Sequence, residues 1–481
     1  MSVTPWPEDA ASALAQCQQW AREDGLRYLR VVWVDGHGHA RSKWLTPAAW
    51  PRAWAQGLSM VSTLALKDAA DRTAWPVFSE AREALPAGLQ GAQNLLAVLR
   101  PESLRRLPWA PGHAWVMADL RHDDGQALAF DARAALAPAL TRLQTQGWGL
   151  RVGLELEFHA YRILDASDAL NPNLAAWPAP PPRVAMLHPG YQLLSDAHAD
   201  ANALVLDTAA VVADGLGLPL SSMEVEMGPS QFEAVFEVMD AMAAADAMQA
   251  FRIGLRQALA RQGVHVSFMC RPPFDTIMSS GWHLHHSLVD GRGDNAFCPS
   301  AASSDPLDAA AHLSPLGQHW LAGLLAQADA LAACGVPTSS GYARFGPNAL
   351  APQSAVWGVD NRGAMLRVVG QGASVRIENR VNEPAANPHL VMAAHIAAGL
   401  DGVARRLAAP AACCSPYDGE AAALPSHMRE AMQALATSSV MREALGAVVE
   451  HYTHIKRVEA AQCAAAASAR EWEACAYFSR L

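Results

Sequence analysis

Cysteine pairing is missing from this 481-residue chain: its eight cysteines, at 17, 270, 298, 334, 413, 414, 463 and 475, form no CxxC pair and no zinc-like spacing. The adjacent Cys413-Cys414 is poorly placed for an ordinary disulfide, so free thiols in a reducing cytoplasm are expected. No apolar run reaches the roughly 18 residues that a membrane span needs, and none is expected. The opening MSVTPWPEDA holds neither a basic segment nor an apolar one, so no secretory leader is expected. Charge is scarce as well, at 17% of residues against 51% hydrophobic, which describes a globular protein with much internal or intersubunit surface. The net charge of −10 and pI near 6.0 argue against nucleic acid as a partner, because phosphate binding needs a basic face.

What is present is an ordered run of helices and strands. Residues 8–22 have helical spacing and stop at Asp24-Gly25. Strands are expected at 29–34 and 40–45 around the turn Asp35-Gly36-His37-Gly38, where His37 and His39 read as solvated rather than as metal ligands. Trp109-Ala-Pro-Gly112 marks a break, dividing the chain into 1–111 and 112–481. Beyond it come a strand at 115–120, a helix at 131–146, a strand at 151–160 and an irregular loop at Pro178, Pro180, Pro181 and Pro182. Then follow a helix at 196–215, strands at 221–226 and 231–236, and a long helix at 240–262. Strands at 265–270 and 281–289, a helix at 307–333, strands at 355–358, 364–368 and 374–380, and helices over most of 387–481 complete the pattern. Strand runs and helix runs are segregated, which favours an α+β fold over a doubly wound sheet.

The chemistry sits on those strands. Glu155 and Glu157 alternate on one strand face, and two buried like charges would cost on the order of several kcal/mol without a cation. Glu226 and Glu233 flank a Gly-Pro turn, and His283 and His285 stand two apart. Arg344, Arg362, Arg367, Arg376 and Arg380 fall within 37 positions, with lysine absent from that stretch. Arginine without lysine suggests a bidentate grip on phosphate or carboxylate. The sequence has no GxxxxGK[ST] and no strand–GxGxxG–helix unit, so a nucleotide would be held by metals and arginines. Arg376-Ile-Glu378-Asn-Arg380, a glutamate between two arginines, is the stretch expected to close a metal–ATP site.

These motifs together resemble the glutamine synthetase family over nearly the whole chain: Gly153-x-Glu155-x-Glu157-Phe158, Glu226-x-Gly-Pro-x-Gln231-x-Glu233, Ser280-Gly-x-His283-x-His285-x-Ser287, Asn361-Arg362, Arg367, Arg376-Ile-Glu378-x-Arg380 and Pro384-Ala-Ala-Asn-Pro388. Asp35-x-x-Gly38-x-x-Arg41-x-Lys43 is similar to the family's small N-terminal β-grasp-like domain. The resemblance implies such a domain followed by a large catalytic domain with a curved antiparallel sheet flanked by helices. It also implies a funnel-shaped site between subunits of stacked hexameric rings, hence a dodecamer, using ATP and two or three Mg²⁺ or Mn²⁺ ions per site. By the same analogy Glu157, Glu226 and Glu233 hold the metal facing the acid substrate, and Glu155, His283 and Glu378 the one on the nucleotide phosphates. His285, Ser287, Arg362, Arg367 and Arg376 would bind the nucleotide, while Arg344 and Arg380 grip the substrate carboxylate and the transferred phosphoryl group. The implied reaction activates the γ-carboxylate of glutamate with ATP and lets an amine attack the acyl phosphate.

Three departures bear on the amine. Ammonia-using members carry Asn-Gly before Ser-Gly-x-His, where this chain has Met278-Ser279. Their flap glutamate falls at Leu350 here, and their Asp-Gly-Ser-Ser segment has no counterpart around 58–66. Losing the carboxylates that handle ammonium suggests a larger, apolar alkyl- or arylamine, with Leu350, Met278, Trp282 and Met60 as candidate pocket residues. An ammonia-using enzyme, a ligase of another acid and a non-catalytic paralogue remain as alternatives.

Overall fold

The computed structural model describes residues 9–79, 85–86, 88–164, 178–299, 307–346, 350–418 and 421–481. The leading helix α1 (Ala10–Glu23) begins where the Asp9 carboxylate accepts from the Ser12 N–H; residue 8, expected to open it, lies outside the described residues. A six-stranded sheet follows, built from β1 (Tyr28–Val34), β2 (Ala40–Leu45), β3 (Leu58–Val61), β4 (Asn94–Leu99), β5 (Arg105–Arg106) and β6 (His113–Arg121) in the order β2-β1-β6-β4-β3, with β5 on β6. Helix α2 (Trp50–Gln56) crosses between β2 and β3. Beyond the Trp109–Gly112 break, β6 returns to this first sheet and pairs parallel with β1. The hairpin tip differs from expectation. His37 is buried: Nε2 meets the Lys67 carbonyl at 3.0 Å and Nδ1 meets Lys456 Nζ at 3.2 Å, because a distant helix packs onto the turn. His39 is also withdrawn from water.

The second sheet has nine strands: β7 (Gly149–Ile163), β8 (Val184–Met186), β9 (Leu220–Val225), β10 (Gln231–Asp240), β11 (Val264–Ser267), β12 (Trp282–Val289), β13 (Trp357–Val359), β14 (Leu366–Val369) and β15 (Arg376–Asn379). Its order is β13-β14-β15-β12-β7-β10-β9, with β8 and β11 also on β7, and every pair except β13–β14 is antiparallel. The fold is α+β, with a curled sheet and helices α3 (Ala132–Thr145), α4 (Asp196–Ala201), α5 (Ala203–Leu216) and α6 (Ala241–Ala260) packed against it. Helices α7 (Pro315–Ala326), α8 (Ala328–Gly335), α9 (Pro388–Arg405), α10 (Met428–Thr437), α11 (Ser439–Leu445), α12 (Ala447–Ala465) and α13 (Ala469–Glu473) complete it.

The helix expected at 307–333 is divided. Ser314 caps α7 by accepting from Gly317 N–H and Pro315 occupies the first turn, so a helix starts there rather than at 307. The same device positions the site: Asn387 accepts from the His389 and Leu390 N–H groups, Pro388 opens α9, and that helix is buried along most of its length. It anchors the chain directly after the Arg376–Arg380 stretch.

Candidate active site

Period two divides β12 and β7 into a wet face and a dry one. Leu154, Leu156, Trp282, Leu284, His286 and Ile377 point into the core. Trp282 is therefore a core residue and no pocket wall, and His286 accepts from Trp320 Nε1 at 3.0 Å. Met60 is likewise buried, in the core under the first sheet. Register then assembles the other face. Glu155 lies opposite His283, Glu157 opposite Glu233, Glu378 opposite both His285 and Arg367, and Glu233 opposite Glu224.

The result is a row of carboxylates and imidazoles running across five strands. Glu155 meets His283 Nδ1 at 3.1 Å and His285 Nε2 at 3.0 Å. Ligand atoms of Glu155, Glu233 and His283, of Glu155, His285 and Glu378, and of Glu224, Glu226 and Glu233 each lie within 4.8 Å of one another. Glu224 was not expected, although Glu224-x-Glu226 has the alternation that could have flagged it. Gln231 also has an unforeseen role: its Nε2 donates to Glu157 at 2.8 Å, alongside the Gly281 N–H at 2.9 Å.

Electrostatics separates two halves. At one end, burial and then repulsion from Glu226 push Glu157 up to about 7. Burial and then Glu157, Glu155, Glu226 and Glu224 push Glu233 up to about 10, and burial raises Glu226. Four carboxylates crowded this way call for a cation, and oxygen donors with one imidazole suit Mg²⁺ or Mn²⁺. At the other end burial opposes ionisation, yet His283 and His285 hold Glu155 far below the ordinary carboxylate range, and His283, Arg380 and His285 lower Glu378.

The two histidines differ in which nitrogen is free. His283 Nδ1 hydrogen-bonds Glu155, which leaves Nε2, 3.8 Å from Glu157 Oε1, with a lone pair for a metal. Arg376 Nε donates to His285 Nδ1 at 3.1 Å, so Nδ1 is the accepting nitrogen and Nε2 the one that carries a proton. That nitrogen is buried and faces a Glu155 oxygen at 3.0 Å in poor hydrogen-bond alignment, which leaves room for a phosphate oxygen to compete for its proton.

Arg344 is only 4% exposed, and its guanidinium donates to the Val381 and Asn382 carbonyls at 3.1 and 3.0 Å. It passes so close to Gly281 that a Cβ there would fall 2.6 Å from it and 3.0 Å from His283 Nε2. Arg367 bridges Glu378 at 3.0 Å and Asp360 at 3.0 Å, while Arg380 holds Glu378 at 2.6 Å and the Arg362 carbonyl at 3.0 Å. Arg362 is exposed beside a groove of about 510 Å³ with Asn361 and Cys413. Ser287, His285, Glu155 and Arg376 line a cleft of about 450 Å³. Ser279 Oγ accepts from Arg271 at 2.6 Å, and Met278 packs against the Gly228 turn. Leu350 is 60% exposed at φ +52°.

The sequence profile described as "Glutamine synthetase, catalytic domain" matches residues 129–477. The chain is 33% identical to gamma-glutamylanilide synthase of an Acinetobacter species, across 95% of this chain and 94% of that one. It is 32% identical to gamma-glutamylethanolamide synthetase of Streptomyces coelicolor, across 79% of this chain and 78% of that one. A solved GmaS/ADP complex superposes with a TM-score of 0.75 at 27% identity, covering 95% of this chain and 98% of that one. The catalytic-domain match and the near-full-length relative agree with the carboxylate row, and the chain belongs to the glutamine synthetase family.

Proposed function

We propose that this chain is an ATP-dependent ligase joining the γ-carboxylate of glutamate to an amine larger than ammonia, an apolar alkyl- or arylamine. The observation that carries the reading is the combination of an intact carboxylate–imidazole–arginine row with the loss of both acids that would handle ammonium, the flap glutamate replaced by Leu350 and the Asp-Gly-Ser-Ser aspartate without a counterpart around 58–66. The relatives named for an anilide and an ethanolamide support an amine larger than ammonia, and the first of them an arylamine.

In this reading Glu157, Glu226 and Glu233, joined by Glu224, would hold one divalent cation, and Glu155, His283 and Glu378 the other, a cation there taking the place of the proton that His283 Nδ1 shares with Glu155. The groups whose ligand atoms already converge are Glu224, Glu226 and Glu233, then Glu155, Glu233 and His283, then Glu155, His285 and Glu378. Bound there, Mg²⁺ or Mn²⁺ supplies Lewis-acid screening of phosphate charge. Arg344 and Arg380 orient glutamate and the migrating phosphoryl group, and the His285 Nε2–H donates to a phosphate oxygen. Ser287, Arg362, Arg367 and Arg376 flank the nucleotide. The γ-carboxylate oxygen displaces ADP, the amine nitrogen attacks the acyl carbon, phosphate leaves and the nitrogen loses its proton. An arylamine is neutral at pH 7, so it needs no carboxylate to remove a proton before attack.

The ligase is also proposed to form stacked hexameric rings, a dodecamer, in the cytoplasm. Exposed Tyr191, Leu193, Leu194, Leu204 and Val211 are apolar surface that assembly would cover, and all eight cysteines are free thiols. Among the described residues no helix is long and apolar enough to cross a membrane.

Incubating the enzyme with ATP, Mg²⁺, glutamate and ammonia, ethylamine, ethanolamine, putrescine or aniline, with product read by mass, tests the assignment. Amide formation with a bulky amine above that with ammonia is expected; turnover with ammonia alone would overturn it. Leu350→Glu is expected to move the kcat/KM ratio of ammonia to the larger amine upward by about tenfold, a change of about 1.4 kcal/mol in relative barrier. An unchanged ratio would remove position 350 from the acceptor site.

A further inference from the structure

Between the first hairpin and α6 lies a cavity of about 540 Å³ that shares no lining residue with the clefts at the catalytic row. Its permanently charged side chains are those of Arg41, Arg252, Arg256 and Arg480, with no aspartate or glutamate among the wall residues, and Val264, Val266 and Phe268 form an apolar side. The arginines come from β2, from α6 and from beyond α13, so only the fold brings them together.

Arg41 is answered by Asp35 at 3.2 Å and by Asp71. For Arg252, Arg256 and Arg480, no carboxylate lies within 4.0 Å among the described residues. Arg252 donates to the Pro384 and Ala386 carbonyls at 2.8 and 2.9 Å, and Arg256 to the Ser479 carbonyl at 2.9 Å and to that of Arg480. Those neutral oxygens satisfy donors and leave the charge uncancelled. Arg480 Nε, Arg41 Nε and His39 Nε2 are buried with no hydrogen-bond partner. Gly38, at φ +78°, lets the hairpin reach the cluster: a Cβ there would fall 2.2 Å from the Arg252 guanidinium. Burial and then repulsion, by Arg256 at Arg252 and by Arg480 at Arg256, lower both to about 10, with only the weaker field of Asp35 opposing at Arg252. Burial, followed by the fields of Arg256, Arg41, Arg480 and Arg252, holds His39 well below its ordinary range.

Uncompensated guanidinium groups gathered in a cavity are costly unless an anion joins them. We propose that this cavity binds a small molecule carrying two or more negative charges, of the phosphate or polycarboxylate class, held by Arg252, Arg256 and Arg480 with its carbon skeleton on the apolar side. The volume suits a metabolite-sized ligand, and guanidinium forks match both anion types.

Isothermal titration of the full-length protein with inorganic phosphate, pyrophosphate and citrate, without nucleotide or divalent metal, tests this. At least one should bind saturably, and which arm responds separates phosphate from carboxylate chemistry. Arg480→Gln is expected to weaken that Kd about tenfold or more, because a charge-assisted contact is lost. Arg256→Lys, which keeps the charge and loses the fork, should weaken it too, and Arg376→Gln at the catalytic row should leave it within about twofold. The unfolding midpoint of ligand-free Arg480→Gln should be equal to or above that of the parent, since one unanswered charge is gone. Absence of saturable binding by all three anions, a Kd unmoved by both cavity variants, or loss of binding in Arg376→Gln would each overturn the proposal.

Discussion

Glu378→Gln should lower kcat/KM by about 10²–10³-fold or more while the protein stays folded and assembled. Glu378 is fully buried, and its two oxygens answer Arg367 at 3.0 Å and Arg380 at 2.6 Å. Its Oε1 also lies 3.7 Å from His283 Nδ1 and 3.8 Å from His285 Nε2. Glutamine keeps the shape and one acceptor oxygen, so packing against Ile377 and α9 survives. What it removes is the negative charge that orients two guanidinium groups and completes the Glu155–His283 side of the row. Preorganised charge of this kind contributes about 3–4 kcal/mol to a barrier when it faces developing phosphoryl charge. Glutamate- and amine-dependent phosphate release measures the loss, and size-exclusion chromatography checks the assembly. Activity within about threefold of the parent would remove Glu378 from the catalytic centre.

Glu459→Ala should be among the most destabilising single changes in the molecule, at about 3–5 kcal/mol. Helix α12 reaches the N-terminal part of the chain through this side chain. Glu459 accepts from Lys456 Nζ at 2.9 Å, from the Ala69 N–H at 2.8 Å and from the Tyr477 hydroxyl at 3.3 Å. Lys456 and Glu459 are both fully buried, and Lys456 also donates to His37 Nδ1 at 3.2 Å. Burial and Lys456 lower His37 to about 3, so the ring is neutral and can accept. Cutting Glu459 back to alanine strands the lysine charge in a dry pocket and frees an amide. The pair Lys456→Met with Glu459→Gln should recover most of the loss, because no charge is then stranded. Chemical denaturation of the single and double variants decides it; a cost below about 1 kcal/mol for Glu459→Ala would mean the contact is not a brace.

The recognisable part of the site is the part that local geometry dictates. Alternation along one strand puts Glu155 with Glu157 and His283 with His285, whatever the rest of the chain does. Asn387-Pro388 starts a helix through its own capping chemistry, and Arg-Ile-Glu-Asn-Arg sets a carboxylate between two guanidiniums. The α+β class follows from segregated strand and helix runs, a property of the one-dimensional pattern.

Pairing and burial are different, because they depend on partners far away in the chain. Trp282 and Met60 have the composition of pocket residues, but strand parity and the core of the first sheet withdrew them from the site. His37, on a glycine-rich turn that looks solvated, is buried because a lysine 419 positions later packs onto it. Glu224 joined the row only when β9 took up its register on β10. The sequence by itself determined that acids, imidazoles and arginines of one family's chemistry stand on strand faces, since two-residue alternation is local. Only the tertiary structure decided which nitrogen of each histidine is free, how the carboxylates divide into a crowded half and a neutralised half, and that four arginines meet around a cavity, since each depends on non-local register and packing.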